Sequence, residues 1–218
     1  MNKSKLIVIG ILACLALTAI GVYAGTTTAS LFSLPITAGS TLSVDIYNAS
    51  HVVVSSTVPF STTTESASCQ YATGTLGTAT QRITVTSLHG FINTWSLAIA
   101  ATNGTTTNWA GSTSTFAFNN PSGSPAGCDY GQLTIDPSAG SINLDYTGVS
   151  ATTTGISKGG SYDFNTSTQP SITLMSASAA APKTGRWYLM GVSSTQAIPA
   201  FTTADSYTLP MTLTLTTT

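Results

Sequence analysis

Two side chains can move a proton near neutral pH, His51 and His89. The carboxylates are Glu65 and six aspartates scattered along the chain. A glycosidase needs two carboxyls flanking one bond, and no local spacing here supplies such a pair. Gly155-Ile156-Ser157-Lys158-Gly159 matches the nucleophile elbow, a motif that exposes its serine only between a buried strand and a helix. Three threonines precede this stretch and Gly160 follows it, so a Ser/Gly loop is expected. His89 precedes Gly90 in a predicted turn, and His51 opens a β-branched run. Neither has a carboxylate beside it, so surface or strand-edge positions are expected rather than catalysis. The chain is read as a non-enzyme.

Cys14 lies in an apolar leader, which leaves Cys69 and Cys128 for the exported chain. An even count in an oxidising compartment suggests a disulfide between them. Such a bridge closes a loop of nearly sixty residues and contributes about 4 kcal/mol in the chain-entropy picture. Two cysteines without neighbouring histidines cannot form a structural zinc site, and no metal or cofactor is expected. The oxygen-rich stretch from Asn119-Asn120 to Asp129, with Asp136, has the donor type for calcium but not the spacing of an EF-hand. Turn geometry is the expected reading. Sequons occur at Asn48, Asn103 and Asn165. Trp109, Trp187 and Tyr188 are candidates for stacking on saccharide rings, whereas Trp95 shares the apolar face of its strand and is expected in the core.

These residues sit in an unusual background. Charged residues make up 6% of 218, with Lys+Arg 6 and Asp+Glu 7 for a net charge of -1, against roughly a quarter in ordinary domains. No basic cluster exists to displace phosphate counterions, which excludes nucleic-acid binding. Serine and threonine supply about a third of the chain. The amino end reads as a secretory signal over residues 1–24: Lys3 and Lys5, an apolar run from Leu6 to Ile20, then Val22 and Ala24 at a cleavage site. An uncleaved anchor is the competing reading. After cleavage no membrane span remains, and the net charge becomes about -3 with the loss of two lysines.

The body, residues 25–218, is expected to be a single all-β domain, an antiparallel β-sandwich of immunoglobulin-like or jelly-roll-like kind, preceded by the signal-peptide helix. Period-two alternation marks strands at 41–47, 81–86, 95–99, 132–136, 141–146, 171–175 and 211–215, each with one face for the core and one for water. The wet face carries hydroxyls, and β-branched threonine suits a pleated surface. Turn chemistry at Asn103-Gly104, Asn120-Pro121, Pro137-Ser138-Ala139-Gly140 and Gly159-Gly160 separates these runs. Residues 177–181 read as a loop ahead of Pro182, and Gly25–Ser40 as an entry segment or a first strand.

The segment from Val85 to Thr102, with a glycine-containing turn at Gly90 and then Trp95-Ser96-Leu97, resembles the first motif of WxL-domain surface proteins. Tyr207-Thr208-Leu209-Pro210-Met211-Thr212-Leu213-Thr214-Leu215 is similar to the second, matching at Tyr207, Thr212 and Leu215. Leu213 stands where the family has its second tryptophan. The resemblance implies a non-enzymatic bacterial β-sandwich, secreted and held at the cell surface or cell wall by non-covalent attachment to peptidoglycan or another surface glycan. A neutral, hydroxyl-rich face with a few aromatics suits such a polymer. The alternative is a structural subunit of a surface fibre or coat, associating with itself or other surface proteins by β-strand addition. The uncharged run after Pro210 is the candidate strand.

Overall fold

The computed structural model describes residues 41–88, 90, 94–145 and 152–218. The proposed signal segment, His89 and the Gly25–Ser40 stretch lie outside the described residues. The strands follow one another as β1 Leu42–Tyr47, β2 Gln70–Leu76, β3 Arg82–Ser87, β4 Trp95–Ala101, β5 Asn108–Ala110, β6 Thr115–Ala117 and β7 Gln132–Asp136. Then come β8 Ser141–Leu144, β9 Ile156–Lys158, β10 Tyr162–Asp163, β11 Ser171–Ala177, β12 Gly185–Met190, β13 Val192–Ile198 and β14 Met211–Thr217. Among the described residues the only helical pieces are single 3-10 turns at Gly104–Thr106 and Pro137–Ala139, in keeping with the helix-averse Thr/Ser content.

The strands form three four-stranded antiparallel sheets, in the orders β1-β3-β12-β8, β10-β7-β13-β2 and β14-β4-β11-β9, and a small β5-β6 ribbon. The result is an all-β sandwich. The first two sheets share three chains. β2 is followed by β3, β7 by β8 and β12 by β13, and the pairing passes from one sheet to the other with a change of register: Leu189 is opposite Ile83, then Val192 opposite Leu76, with the Thr78–Gln81 turn taking up the extra residues. All three chains turn the same corner. Gly77 and Gly191 have φ of 78° and 75° there, and a Cβ on Gly77 would stand 2.7 Å from the Leu189 carbonyl. Sheets that share strands through a bend are one of the standard ways to wrap a core. Lys158 pins the corner by donating from Nζ to the carbonyls of Ser138 (2.5 Å) and Gly140 (2.6 Å).

The third sheet closes the core. β4 alternates buried and half-buried along its length, with Trp95, Leu97 and Ile99 inside, as the period-two reading expects. Trp95 meets Trp187 of β12 at 6.1 Å between ring centroids. Around this pair stand Ile83, Val85, Ile172, Leu174, Met175 and Leu189, all fully buried. Cys69 and Cys128 form the expected disulfide across 59 positions. One expectation fails: residues 156–158 of the nucleophile-elbow match are strand β9, with Ser157 opposite Ser176 of β11. A free sheet edge offered this segment a ladder that its Ser/Gly composition did not advertise.

Candidate functional site

The two WxL-like motifs become neighbouring strands. β14 pairs β4 from Met211 opposite Ala101 to Thr217 opposite Trp95, which sets Leu215 opposite Leu97 and Thr212 opposite Ala100. Tyr207 stands apart. Its hydroxyl donates to the Thr203 carbonyl at 2.8 Å and contacts the Ser114 hydroxyl, and its ring meets Phe116 edge-on at 5.0 Å. Phe116 stacks on Trp109 at 6.0 Å, and Trp109 meets Phe60 at 5.4 Å. Trp109 donates its indole N–H to the buried Gln196 side chain at 2.7 Å. This row ties the β5-β6 ribbon to the sandwich.

The expected saccharide platform does not assemble. Trp187 is fully buried and has no face to offer a sugar. Successive residues of a strand point to opposite sides, so Tyr188 lies on the outer face, half-exposed beneath the Arg82 guanidinium at 4.6 Å. Trp109 is half-buried in the aromatic row instead of standing free. The exposed aromatics are elsewhere. Phe201 is 80% exposed and Tyr130 57%, and both line an open groove of about 410 Å³ with Asn108, Phe116, Asn120 and Asp129. Phe201 holds φ at 59°, a left-handed conformation uncommon for an aromatic residue. It is pinned there. Its N–H donates to the Ser66 carbonyl at 2.7 Å, Thr202 bonds back to Pro199, and Ala204 N–H donates to Glu65 Oε1 at 2.6 Å. Composition gave no signal for this loop, because its geometry depends on Ser66, far away in sequence.

A second feature is the edge of the third sheet. Among the described strands, most of the other sheet edges are short or overlaid, with β1 overlaid only at its end. β10 has two residues, β9 three and β8 four. β2 is overlaid where Ser61 N–H donates to the Thr73 carbonyl, and the end of β1 where Val54 N–H donates to the Ile46 carbonyl. β14 has seven residues, none charged, and one side without a ladder. Its inward row Met211, Leu213 and Leu215 is only half-buried, as is the row Leu42, Val44 and Ile46 of nearby β1. Next to these rows lies an apolar cleft of about 520 Å³, lined by Ile46, Leu76, Ile99, Leu133, Met211 and Leu213. Ser194 also faces it, 2% exposed, with no hydrogen-bond partner for its hydroxyl. Such edges invite pairing with another chain unless charge, proline or a cover blunts them.

The charged residues that meet in space are structural. The Asp145 side chain is fully buried, its Oδ2 3.1 Å from His51 Nδ1 and 3.3 Å from Arg186 Nε, and its Oδ1 3.6 Å from Arg82 Nη1. Arg186 lies over Tyr47 at 4.6 Å. His51 is 94 positions from Asp145, and no sequence motif joins them. Two guanidiniums take up the carboxylate, and its partner imidazole is half-exposed, so the group acts as a staple on the outer face of the first sheet. Glu65 is occupied with Ala204, and Ser157 lies in β9, far from a helix. Asp205 accepts from Ser112 N–H (2.5 Å), Ser112 Oγ (2.8 Å) and Ser206 N–H (2.7 Å). The Ser112 hydroxyl, then the Ser206 amide, hold its pKa below the ordinary carboxylate value. In the oxygen-rich stretch, Asn120 Oδ1 caps the Ser122 amide, a turn-forming use, whereas the buried Asn119 donates to the Thr105 carbonyl 14 positions away. Among the described residues no three His, Cys, Asp or Glu groups gather as a metal site, and no helix is long and apolar enough to cross a membrane.

Among the described residues the chain forms an all-β sandwich with a half-buried apolar edge strand, β14, and one pinned aromatic groove. No family model, curated protein or solved structure matches it.

Proposed function

We propose that the chain is an exported, non-catalytic surface protein that acts as a structural subunit of a fibre or coat, joined to its neighbours by β-strand addition. The observation that carries this reading is the uncharged seven-residue edge of β14, flanked by the two half-covered apolar rows. For the uncharged run after Pro210, pairing within its own chain is the favoured expectation over completing a neighbour's sheet. It pairs with β4 along its full length, so in this reading it is the acceptor. An added strand would hydrogen-bond to β14 and place alternate side chains over the rows and the cleft, the usual division of affinity and specificity in strand addition. The test is light scattering and negative-stain electron microscopy of the exported protein over a range of concentrations. Concentration-dependent polymers of uniform width are expected. A monomer at every concentration would overturn the reading.

A second reading, non-covalent attachment to peptidoglycan or another surface glycan, is favoured by the Phe201–Tyr130 groove. Exposed rings with amides and hydroxyls beside them suit stacking on and hydrogen bonding to neutral sugars. The WxL-like pair of motifs and the leader-like residues 1–24 point the same way. Co-sedimentation with purified cell walls tests it: binding that falls at least about tenfold in Phe201→Ala is expected, a loss of roughly 1.4 kcal/mol. Failure of the unaltered protein to pellet with walls would remove this reading.

A further inference from the structure

We infer that the apolar cleft beside β14 is a binding site for a small neutral amphiphile, a molecule with a hydrocarbon body and one uncharged oxygen, and that the Ser194 hydroxyl recognises that oxygen. The inference stands apart from strand addition and from wall attachment. It starts in the middle of the second sheet, where β13 turns Val192, Ser194 and Gln196 inward, all buried. Gln196 is satisfied there: its side chain accepts from the Trp109 indole and donates to the Ala197 carbonyl, both at 2.7 Å. Ser194 is not. It is 2% exposed, and its Oγ has no hydrogen-bond partner. A buried hydroxyl left unbonded is costly, because water cannot reach it to replace the bond. Ser194 lines the cleft of about 520 Å³, a volume within the usual range for small-molecule sites.

The strands beside Ser194 leave its hydroxyl uncovered. Gly74 of β2 and Ile135 of β7 lie directly opposite it. A Cβ on Gly74 would stand 2.9 Å from Ser194 Oγ and 3.2 Å from Val58 Cγ1. Gly74 is not among the glycines with positive φ, so backbone geometry does not demand it. What its missing side chain provides is space over the hydroxyl. The chemistry of the walls then selects the occupant. Leu76, Ile99, Leu133 and Ile135 are buried along the cleft, and Met211 and Leu213 are half-buried. No Asp, Glu, Lys, Arg or His lines it. A carboxylate would be desolvated there with no counter-charge, which disfavours a fatty-acid anion. A pure hydrocarbon would leave Ser194 unbonded. Water needs about two to four polar partners, but Tyr207 already bonds the Thr203 carbonyl, and Ser56, Thr57 and Thr208 are exposed. One uncharged oxygen on an apolar body satisfies the hydroxyl and covers the half-buried leucine and methionine.

The test titrates the exported full chain with n-octanol, octanoate and n-butylbenzene, followed by heteronuclear NMR. Octanol is expected to bind saturably and to shift the indole N–H resonance of Trp109, which lines the cleft and is one of three tryptophans. Octanoate at neutral pH is expected to bind at least about tenfold more weakly. Ser194→Ala removes the unbonded hydroxyl, so it is expected to keep the fold, to weaken octanol about fivefold and to leave butylbenzene, which has no oxygen, unchanged. Gly74→Ala sets a methyl group against the hydroxyl and is expected to weaken both octanol and butylbenzene. Unsaturable uptake, or shifts that spare Trp109, would overturn the site. Octanoate binding as tightly as octanol to the unaltered chain would overturn the neutral ligand without recourse to any variant. Equal losses of octanol and butylbenzene in Ser194→Ala would overturn the role of the hydroxyl, and unchanged affinities in Gly74→Ala would overturn the placement beside it. Neither polymer formation nor wall co-sedimentation enters these readouts, so their failure and this one are separable.

Discussion

Asp145→Ala is the most informative single perturbation of the fold. The carboxylate is fully buried and faces Arg82, Arg186 and His51 within 3.6 Å, and the two arginines lie over Tyr188 and Tyr47. Breaking one partner out of a buried ion pair costs about 3–5 kcal/mol, because the remaining charge stays desolvated. Here the arginine side chains are 19% and 28% exposed, so water takes up part of what the carboxylate leaves. A loss of about 2–3 kcal/mol follows. For a domain of this size that lowers the melting temperature by roughly 4–12 °C, at about 2–4 °C per kcal/mol. Differential scanning calorimetry on Asp145→Ala and Asp145→Asn measures it. The asparagine keeps the shape and loses the charge, so a similar drop in both assigns the loss to charge. A triple variant, Asp145→Leu with Arg82→Met and Arg186→Met, is expected to recover most of the stability, since an apolar replacement of a whole buried ion group is often neutral. A melting temperature within about 2 °C of the parent in Asp145→Ala would refute the staple and make the cluster ornamental.

The remaining predictions concern loops and the bridge. Cys69→Ser with Cys128→Ser opens the cross-link over 59 positions and is expected to cost about 4 kcal/mol, read as a lower denaturation midpoint with a steeper slope, because the unfolded chain without the bridge is more expanded. Asp205 has a folded pKa below its unfolded value, so the unfolded chain binds the proton more readily. Its stabilisation is complete above the ordinary carboxylate value and is lost as pH falls through the lowered one. Thermal melts from about pH 2 to about pH 6 should show parent and Asp205→Asn converging at the acid end; a constant offset would refute the assignment. Phe201→Gly relieves a left-handed conformation costing about 1 kcal/mol while removing the exposed ring. A small gain in melting temperature together with weaker wall binding is expected, and a loss of both would mean the ring supports the fold.

The sequence reading succeeds where a strand has one wet face and one dry face. β1, β3, β4, β7, β8, β11 and β14 alternate in sequence and are legible there; burial alternates cleanly in β4, whereas β1 is half-buried throughout and Thr84 of β3 is buried beside Ile83 and Val85. β13 was not, because its inward positions include Ser194 and Gln196, both 2% exposed. Gln196 is held by its bond from the Trp109 indole and Ser194 faces the apolar cleft, and neither gives a hydrophobic signal in the sequence. β2 hides for a similar reason: Thr73, Gly74 and Thr75 occupy its middle, and pairing with β13 from Gln70 to Leu76 makes it a strand. β12 contains Trp187 beside Tyr188, and nothing local says which ring goes inward. Register decides: Trp187 sits opposite Val85 and Leu144, in the core row, and Tyr188 opposite Thr84 and Asn143. The candidate groove depends on a loop pinned from residues 65 and 66, and the Asp145 cluster on a partner 94 positions away. Both are products of topology, which period and spacing do not encode.

The few charges explain why the exterior is neutral. Many of them are engaged inside the molecule. Lys158 bonds the corner carbonyls, Asp136 Oδ1 accepts from the Ser138 amide, Asp163 accepts from Thr134 Oγ1, and Glu65 and Asp205 hold loops. Arg82, Arg186 and Asp145 hold one another. What faces outward is mainly hydroxyl, amide and backbone, and the β14 edge has no ion at all. Association through such a surface draws on main-chain hydrogen bonds and apolar burial, which a Debye length shrinking from about 10 Å at 0.1 M salt to about 3 Å at 1 M leaves largely untouched. Polymer formation measured by light scattering should therefore change by less than about threefold between those salt concentrations, and modestly upward with sulfate, which strengthens apolar burial. Dissolution of the polymers by sodium chloride would show that ion pairs outside the β14 edge hold them, and would sink strand addition as the joining mechanism.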